Sequence, residues 1–251
     1  GALKARIGTH VFANLFAHEP GVAVSGEGIK EHPKDFPRTH LAHEEGHAQA
    51  VTWAIEQGAV GGMPLTGFAF GCASNADAFM PSPNQFTYFQ GGGFDMTFLS
   101  FLEVDVDGNV NVSKLGKKPY LTAGCGGVVD ITAHAKKIVF SGWFEAGAEI
   151  ALDATGLRVT KPGKFTKMVD KVEHVTFSGA RARAQGQEVL YVTERCVIRL
   201  MEDGLMATEV MPGIDPARDI IAASHGRVRV AENAKVLPIS LLSPQAMELP
   251  L

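Results

Sequence analysis

The chain has 251 residues, 45% of them apolar and 20% charged, with a formal net charge of -4. That balance excludes a mostly disordered chain, which would lack the apolar surface to offset the entropy of ordering. The acidic charge exerts no general pull toward nucleic acid or anionic membrane, so neither is expected as a partner. Three cysteines are too few for a disulfide framework and favour a reducing, cytoplasmic setting. No apolar run approaches the ~18 residues of a membrane helix, and the N-terminus has no apolar leader core. Neither an anchor nor a signal peptide is therefore expected. The absence of a starting Met is expected of a processed, trimmed or partial polypeptide.

Residues 2–16 place Leu3, Ile7, Val11, Leu15 and Phe16 at helical spacing. Val22-Ala23-Val24 is a short β-run, followed by Ser25-Gly26-Glu27-Gly28, and residues 41–50 predict another short helix. Val51-Thr52-Trp53-Ala54-Ile55 predicts an apolar strand that ends at Glu56-Gln57-Gly58. Leu102-Glu103-Val104-Asp105-Val106 alternates with a period of two. Asp107-Gly108 and Asn109-Val110-Asn111-Val112 follow, so a hairpin is predicted. Residues 137–141, 172–177, 189–192, 196–200 and 206–211 predict further strands. Residues 216–223 predict a helix with Asp215 as N-cap and Pro216 at the first helical position. No fixed-period repeat, low-complexity tract or linker after residue 51 breaks the pattern, so residues 1–251 read as one α/β domain.

Several constellations could carry chemistry. His43-Glu44-Glu45-Gly46-His47 fits H-E-x-x-H, in which two His one helical turn apart bind zinc and the Glu acts as base. Gly46 weakens such a helix by about 1 kcal/mol relative to Ala, and no third ligand follows in a matching context. A charged helix end with incidental His competes. The run from Asp105 to Asn109 loosely resembles a calcium loop, but its spacing fails and a hairpin turn explains it better. Gly26-Glu27-Gly28 could admit a phosphate to backbone amides, although Glu27 would repel it. Glu56 closes an apolar strand before the glycine-rich Gly58, Gly61 and Gly62. At the carboxyl end of a strand in an open α/β sheet, such a side chain faces the ligand crevice, where a carboxylate can serve as base or nucleophile. A Glu bonded to nearby backbone competes with that reading.

The ordered blocks Ile55-Glu56-Gln57-Gly58-Ala59-Val60-Gly61-Gly62, Gly91-Gly92-Gly93-Phe94-Asp95, Asp107-Gly108-Asn109-Val110-Asn111-Val112-Ser113 and Gly124-Cys125-Gly126-Gly127 resemble the family I coenzyme A transferases. Three later segments fit too: residues 137–142, 172–177 and 191–195. The pattern is most similar to the acetate/propionate and 3-oxoacid branch and spans residues 41 to 240. Residues 1–40 match poorly: Lys30 stands where that family's G-x-G-x-P-E loop carries Pro. The resemblance implies an open, mostly parallel α/β sheet with helices on both faces and peripheral β-structure. It implies that Glu56 is the nucleophile and that the backbone N–H groups of Gly126 and Gly127 serve the reacting carbonyl. It also implies that Gly91, Gly92, Gly93 and Gly124 lie along the coenzyme A path.

On this resemblance, coenzyme A moves between an acyl-CoA and a free carboxylic acid by a ping-pong route through a glutamyl-CoA thioester. The acids would be short-chain or 3-oxoacids. Coenzyme A thioester is then a substrate, and no permanently bound cofactor or metal is expected. The chain matches only the second, Glu-bearing half, so a first-half subunit or domain is the expected partner, within an oligomer. Rival readings are an acyl-CoA hydrolase on the same scaffold, the zinc hydrolase of His43, Glu44 and His47, a Cys125 nucleophile, and a non-catalytic sugar-phosphate sensor. The basic clusters Lys114, Lys117 and Lys118, and Arg181 with Arg183, read as solvated surface.

Overall fold

The computed structural model describes residues 22–26 (backbone only), 51–65, 67–69, 71–114 and 124–242. The predicted helices at 2–16 and 41–50 lie outside the described residues, as do the zinc-like motif, Glu27-Gly28, Lys117 and Lys118. The chain divides into two compact units. The first holds the described residues up to Ser100 together with Gly127–Val139, and the second holds the rest.

In the first unit the chain forms β1 (Val22–Gly26), β2 (Val51–Ala54), β3 (Ala59–Val60), β4 (Met63–Pro64), β5 (Ala73–Ser74) and β6 (Ala78–Phe79). Helix α1 (Ser82–Gln90) and β7 (Met96–Ser100) follow. After the excursion into the second unit come α2 (Val128–Thr132) and β10 (Lys137–Ser141), within which the unit boundary falls. The strands lie in the order β10-β7-β1-β2-β3-β6. β1 runs parallel to both its neighbours, whereas β3 and β6 add an antiparallel edge. The predicted strands at Val22, Val51 and Lys137 are thus present. β7 is buried at Met96, Thr97, Phe98 and Leu99. A continuously buried run, with no alternation, is what a parallel strand covered on both faces requires.

Helix α1 follows from its ends. Pro81 is the N-cap and Pro83 lies in the first turn, where the missing N–H costs nothing. At the other end Gly92 (φ +72°) takes the left-handed conformation. The N–H groups of Gly92 and Gly93 donate to the carbonyls of Phe89 (3.0 Å) and Tyr88 (3.1 Å), closing a Schellman cap. The buried face of α1 carries Gln85 and Phe89. Phe89 is fully buried and packs edge-on against Phe94, ring centroids 5.2 Å apart. Such burial stabilises by about 1.5–3 kcal/mol. Gln90 donates to Asp130 and ties α1 to α2.

The second unit begins with β8 (Glu103–Asp105) and β9 (Val110–Asn111), the predicted antiparallel hairpin. The Asp105 carboxylate accepts from the backbone N–H groups of Asp107 (3.1 Å), Asn109 (2.9 Å) and Val172 (3.2 Å), so it is spent on the turn. β11 (Glu145–Ala146), β12 (Glu149–Asp153), β13 (Gly156–Lys161), β14 (Phe165–Thr166) and β15 (Met168–Val169) follow. Next come α3 (Gly179–Ala184), β16 (Glu188–Val192), β17 (Cys196–Met201), β18 (Gly204–Val210) and β19 (Val228–Val236). β16, β17 and β18 form an antiparallel meander, and β19 joins β18 in parallel. A π-helix at Pro216–Ala222 fulfils the predicted cap: Asp215 Oδ1 accepts from the N–H groups of Ala217 (2.9 Å) and Arg218 (3.0 Å).

The strand expected at residues 172–177 is not formed. Only Phe177 makes a bridge, to Val110. The segment is β-branched, but its bonds build no ladder: the N–H groups of Val172 and Glu173 donate to the carboxylates of Asp105 (3.2 Å) and Glu103 (3.3 Å), and Thr176 N–H, Thr176 Oγ1 and Phe177 N–H all converge on the Val110 carbonyl. It straps the hairpin and does not extend a ladder.

A buried ion cluster anchors the second unit. Arg195 is 1% exposed and pairs with Glu194 (3.2 Å) and Glu145, while its Nη1 donates to the Asp219 carbonyl at 2.8 Å. Its guanidinium also lies 4.8 Å from the centroid of the Phe144 ring. Arg195→Met would strand two carboxylates in the interior, so a loss of about 3–5 kcal/mol of stability is expected. Urea denaturation of the two proteins measures it, and an unshifted midpoint would show that the carboxylates need no cation.

Candidate active site

β2 delivers Glu56. The strand ends at Ala54, and a tight turn follows in which Gly58 N–H donates to the Ile55 carbonyl at 2.9 Å. Gly58 is obligatory there: its φ is +108°, and a Cβ would lie 1.9 Å from the Met80 carbonyl oxygen. The chain then returns to α1, whose first residue, Ser82, donates through Oγ to the Glu56 carbonyl oxygen at 3.2 Å. The half-buried Glu56 is therefore held by its main chain, which leaves its carboxylate for other work.

That carboxylate lies against Gly127, the N-cap of α2. A Cβ on Gly127 would sit 2.8 Å from Glu56 Oε1, 3.0 Å from Glu56 Cδ and 2.5 Å from Phe86 Cε1. A point shared this closely makes carboxylate, ring edge and glycine backbone mutual neighbours. Only a residue without a side chain leaves room for a carboxylate beside this peptide. Glu56 and Gly127 are thus brought together from opposite ends of the first unit's sequence.

Gly91, Gly92 and Gly93 form the C-terminal cap of α1, at the end away from Ser82 and Phe86. Gly93 packs beneath Tyr88, where a Cβ would be 2.1 Å from the ring. Burial, and next the negative charge of Asp95, raise the Tyr88 phenol above its usual range. Gly124 and Gly126 belong to the second unit. Gly124 has φ +80° and donates to the Ser113 carbonyl at 3.2 Å, and Gly126 has φ +54°. Cys125 is half-buried, whereas Cys196 is wholly buried and its thiol is pushed up to about 12, chiefly by that burial. Cys196 is inert as a nucleophile at neutral pH. Among the described residues no cluster of three or more His, Cys, Asp or Glu could hold a metal.

Sequence reasoning missed Ser82 and Phe86. Their signal was the helix frame itself: Pro81-Ser82-Pro83 as a start and Gly91-Gly92-Gly93 as a stop put residues 82, 86 and 89 on one face.

No family model matches the chain. It is 41% identical over 208 residues to an acetate CoA-transferase, YdiF, of Escherichia coli O157:H7, covering 82% of this chain and 39% of that protein. It is 36% identical over 206 residues to a caffeate CoA-transferase of Acetobacterium woodii, covering 81% of this chain and 39% of that one. Among solved structures it is similar to an acyl-CoA transferase (YdiF) of E. coli O157:H7 in thioester complex with CoA. There the TM-score is 0.83 and the identity 33%, over 97% of this chain and 45% of that chain. The lower identity accompanies the longer coverage. The chain thus spans less than half the length of each of these proteins.

Proposed function

The chain belongs, as a partial-length member with their α/β fold, to the family I CoA-transferases, and on that premise we propose that it is the nucleophile-bearing half of an enzyme exchanging coenzyme A between an acyl-CoA and a free carboxylic acid. One observation carries the reading: the Glu56 carboxylate lies against the Gly127 peptide, where a glycine amide can serve a reacting carbonyl.

The chemistry follows from those groups. A Glu56 oxygen attacks the acyl-CoA carbonyl and expels coenzyme A thiolate, which leaves a mixed anhydride. The thiolate then attacks the glutamyl carbonyl, forming a glutamyl-CoA thioester and releasing the first acid as carboxylate. The second acid reverses both steps and regenerates Glu56, so the kinetics are ping-pong. A carboxylate nucleophile suits the task because it resembles the acceptor, which keeps each step nearly balanced. The tetrahedral intermediates carry an oxyanion, and the amides of Gly127 and Gly126 are its proposed donors, each worth roughly 3–4 kcal/mol. Of the glycines that the resemblance places along the coenzyme A path, Gly124 is proposed to give the coenzyme A arm room, whereas Gly91–Gly93 serve as the cap of α1. Coenzyme A enters as substrate, with no resident cofactor. The similarity to a protein named acetate CoA-transferase supports a short-chain acid, with a 3-oxoacid as the other proposed substrate. The proposed enzyme is cytoplasmic and oligomeric, with residues 1–251 read as one domain, and it is completed by a first half on the same or a separate polypeptide.

Intact mass spectrometry tests the reading. The chain, together with its complementary half, is incubated with acetyl-CoA. An adduct with the mass of coenzyme A less one water, mapping to Glu56, is the expected result. A folded complex that forms no adduct would overturn the proposal.

A further inference from the structure

Phe86 is the group that touches the site without any chemistry to contribute. Its Cε1 and the Glu56 carboxyl carbon lie within 3.0 Å of one point, the Cβ position on Gly127. The ring is held in place: it meets Phe89 edge-on at 6.4 Å, and Phe89 in turn meets Phe94. Phe86 is half-buried, so one part of the ring is locked into this aromatic row while the rest borders the carboxyl group. Immediately before it, Gln85 is fully buried, and its Oε1 and Nε2 both lack a hydrogen-bond partner. Gln85 and Phe89 form the buried face on which α1, and Phe86 with it, is seated.

We propose that Phe86 is the residue that decides between transfer and hydrolysis, by closing the α1 side of the Glu56 carbonyl to water. The inference rests on Glu56 being the nucleophile. The glutamyl thioester is attacked at one carbon by either of two oxygens. Attack by a carboxylate of the acceptor acid expels coenzyme A thiolate and conserves the activated acyl bond in an anhydride. Attack by water expels the same thiolate, returns Glu56 as carboxylate and gives up two protons, one of which converts the thiolate to the thiol, so that bond is dissipated. The acceptor reaches the carbon from a site that binds its own acyl group. Water needs no such site, and only filled space excludes it. A rigid aromatic edge beside the carbon fills space that a smaller side chain would surrender to solvent.

The experiment uses the chain assembled with its complementary half. Two rates are measured with acetyl-CoA: release of free coenzyme A without acceptor acid, and acyl-CoA formation with it. Phe86→Ala is expected to raise the ratio of hydrolysis to transfer at least about tenfold, and Phe86→Leu to bring it back to within about twofold of the parent. Phe86→Val, which opens less space than Ala, should fall between and serves if the Ala variant does not fold. An unchanged ratio in Ala or Val, with the parent still forming its Glu56 adduct, overturns this inference alone. A parent without the adduct overturns the nucleophile assignment beneath it as well.

Discussion

Glu56→Gln is expected to lose at least about 10⁴-fold in transfer rate while the protein keeps its fold. The amide is close to the carboxylate in size, but its oxygen cannot form the anhydride, so the first covalent step is gone. The fold should not notice. Ser82 bonds the main-chain carbonyl of Glu56, not its side chain, and the turn below is set by Gly58 against Met80. The unfolding free energy should therefore change by no more than about 0.5 kcal/mol. Steady-state transfer between acetyl-CoA and a second acid, paired with denaturation of both proteins, reads the two effects separately. Undiminished turnover would remove Glu56 from the mechanism. A collapse of stability would show that the carboxylate has a structural partner.

What the sequence made legible is what is local. The apolar run from Val51 into Glu56 and the glycines after it read directly as strand and turn, since each residue's neighbours along the chain decide its state. Asp215 before Pro216 read as a helix cap for the same reason, and its Oδ1 accepts two first-turn N–H groups. The Asp107-Gly108 hairpin belongs with them. What stayed hidden depends on distant partners. Residues 172–177 carry a strand's composition, yet Asp105, Glu103 and Val110, about 65 to 70 positions earlier, take up their bonding capacity. The Arg195 cluster joins Glu194 to Glu145, 50 residues upstream of the arginine. Nothing in either segment marks the pairing. Phe86 falls in this class too: as a sequence it is one aromatic among several, and only the approach of Gly127 gives it a neighbour to shield. The family resemblance implied that Glu56 and Gly127 serve one reacting carbonyl, but not that the two touch. Their contact required the fold.

Gly127→Ala tests that contact by itself. The backbone tolerates the change, because φ is -82° and ψ is 5°, a conformation open to any L-residue. The difficulty is space. The new methyl would lie 2.5 Å from Phe86 Cε1 and 2.8 Å from Glu56 Oε1, distances no carbon sustains. Both obstacles are the ends of side chains, so the helix stays and they move. A nucleophile displaced by about 1 Å from its attacking position loses on the order of 10²-fold in rate, and the loss should fall on kcat and on adduct formation. The midpoint of unfolding should shift far less than the rate. Combining Gly127→Ala with Phe86→Leu separates crowding from damage to the peptide. The shorter side chain yields to the methyl, so Glu56 can stay nearer its place and several-fold of the lost rate should return. A double variant that merely adds the two losses would show that the methyl acts on the amide itself and not through the carboxylate.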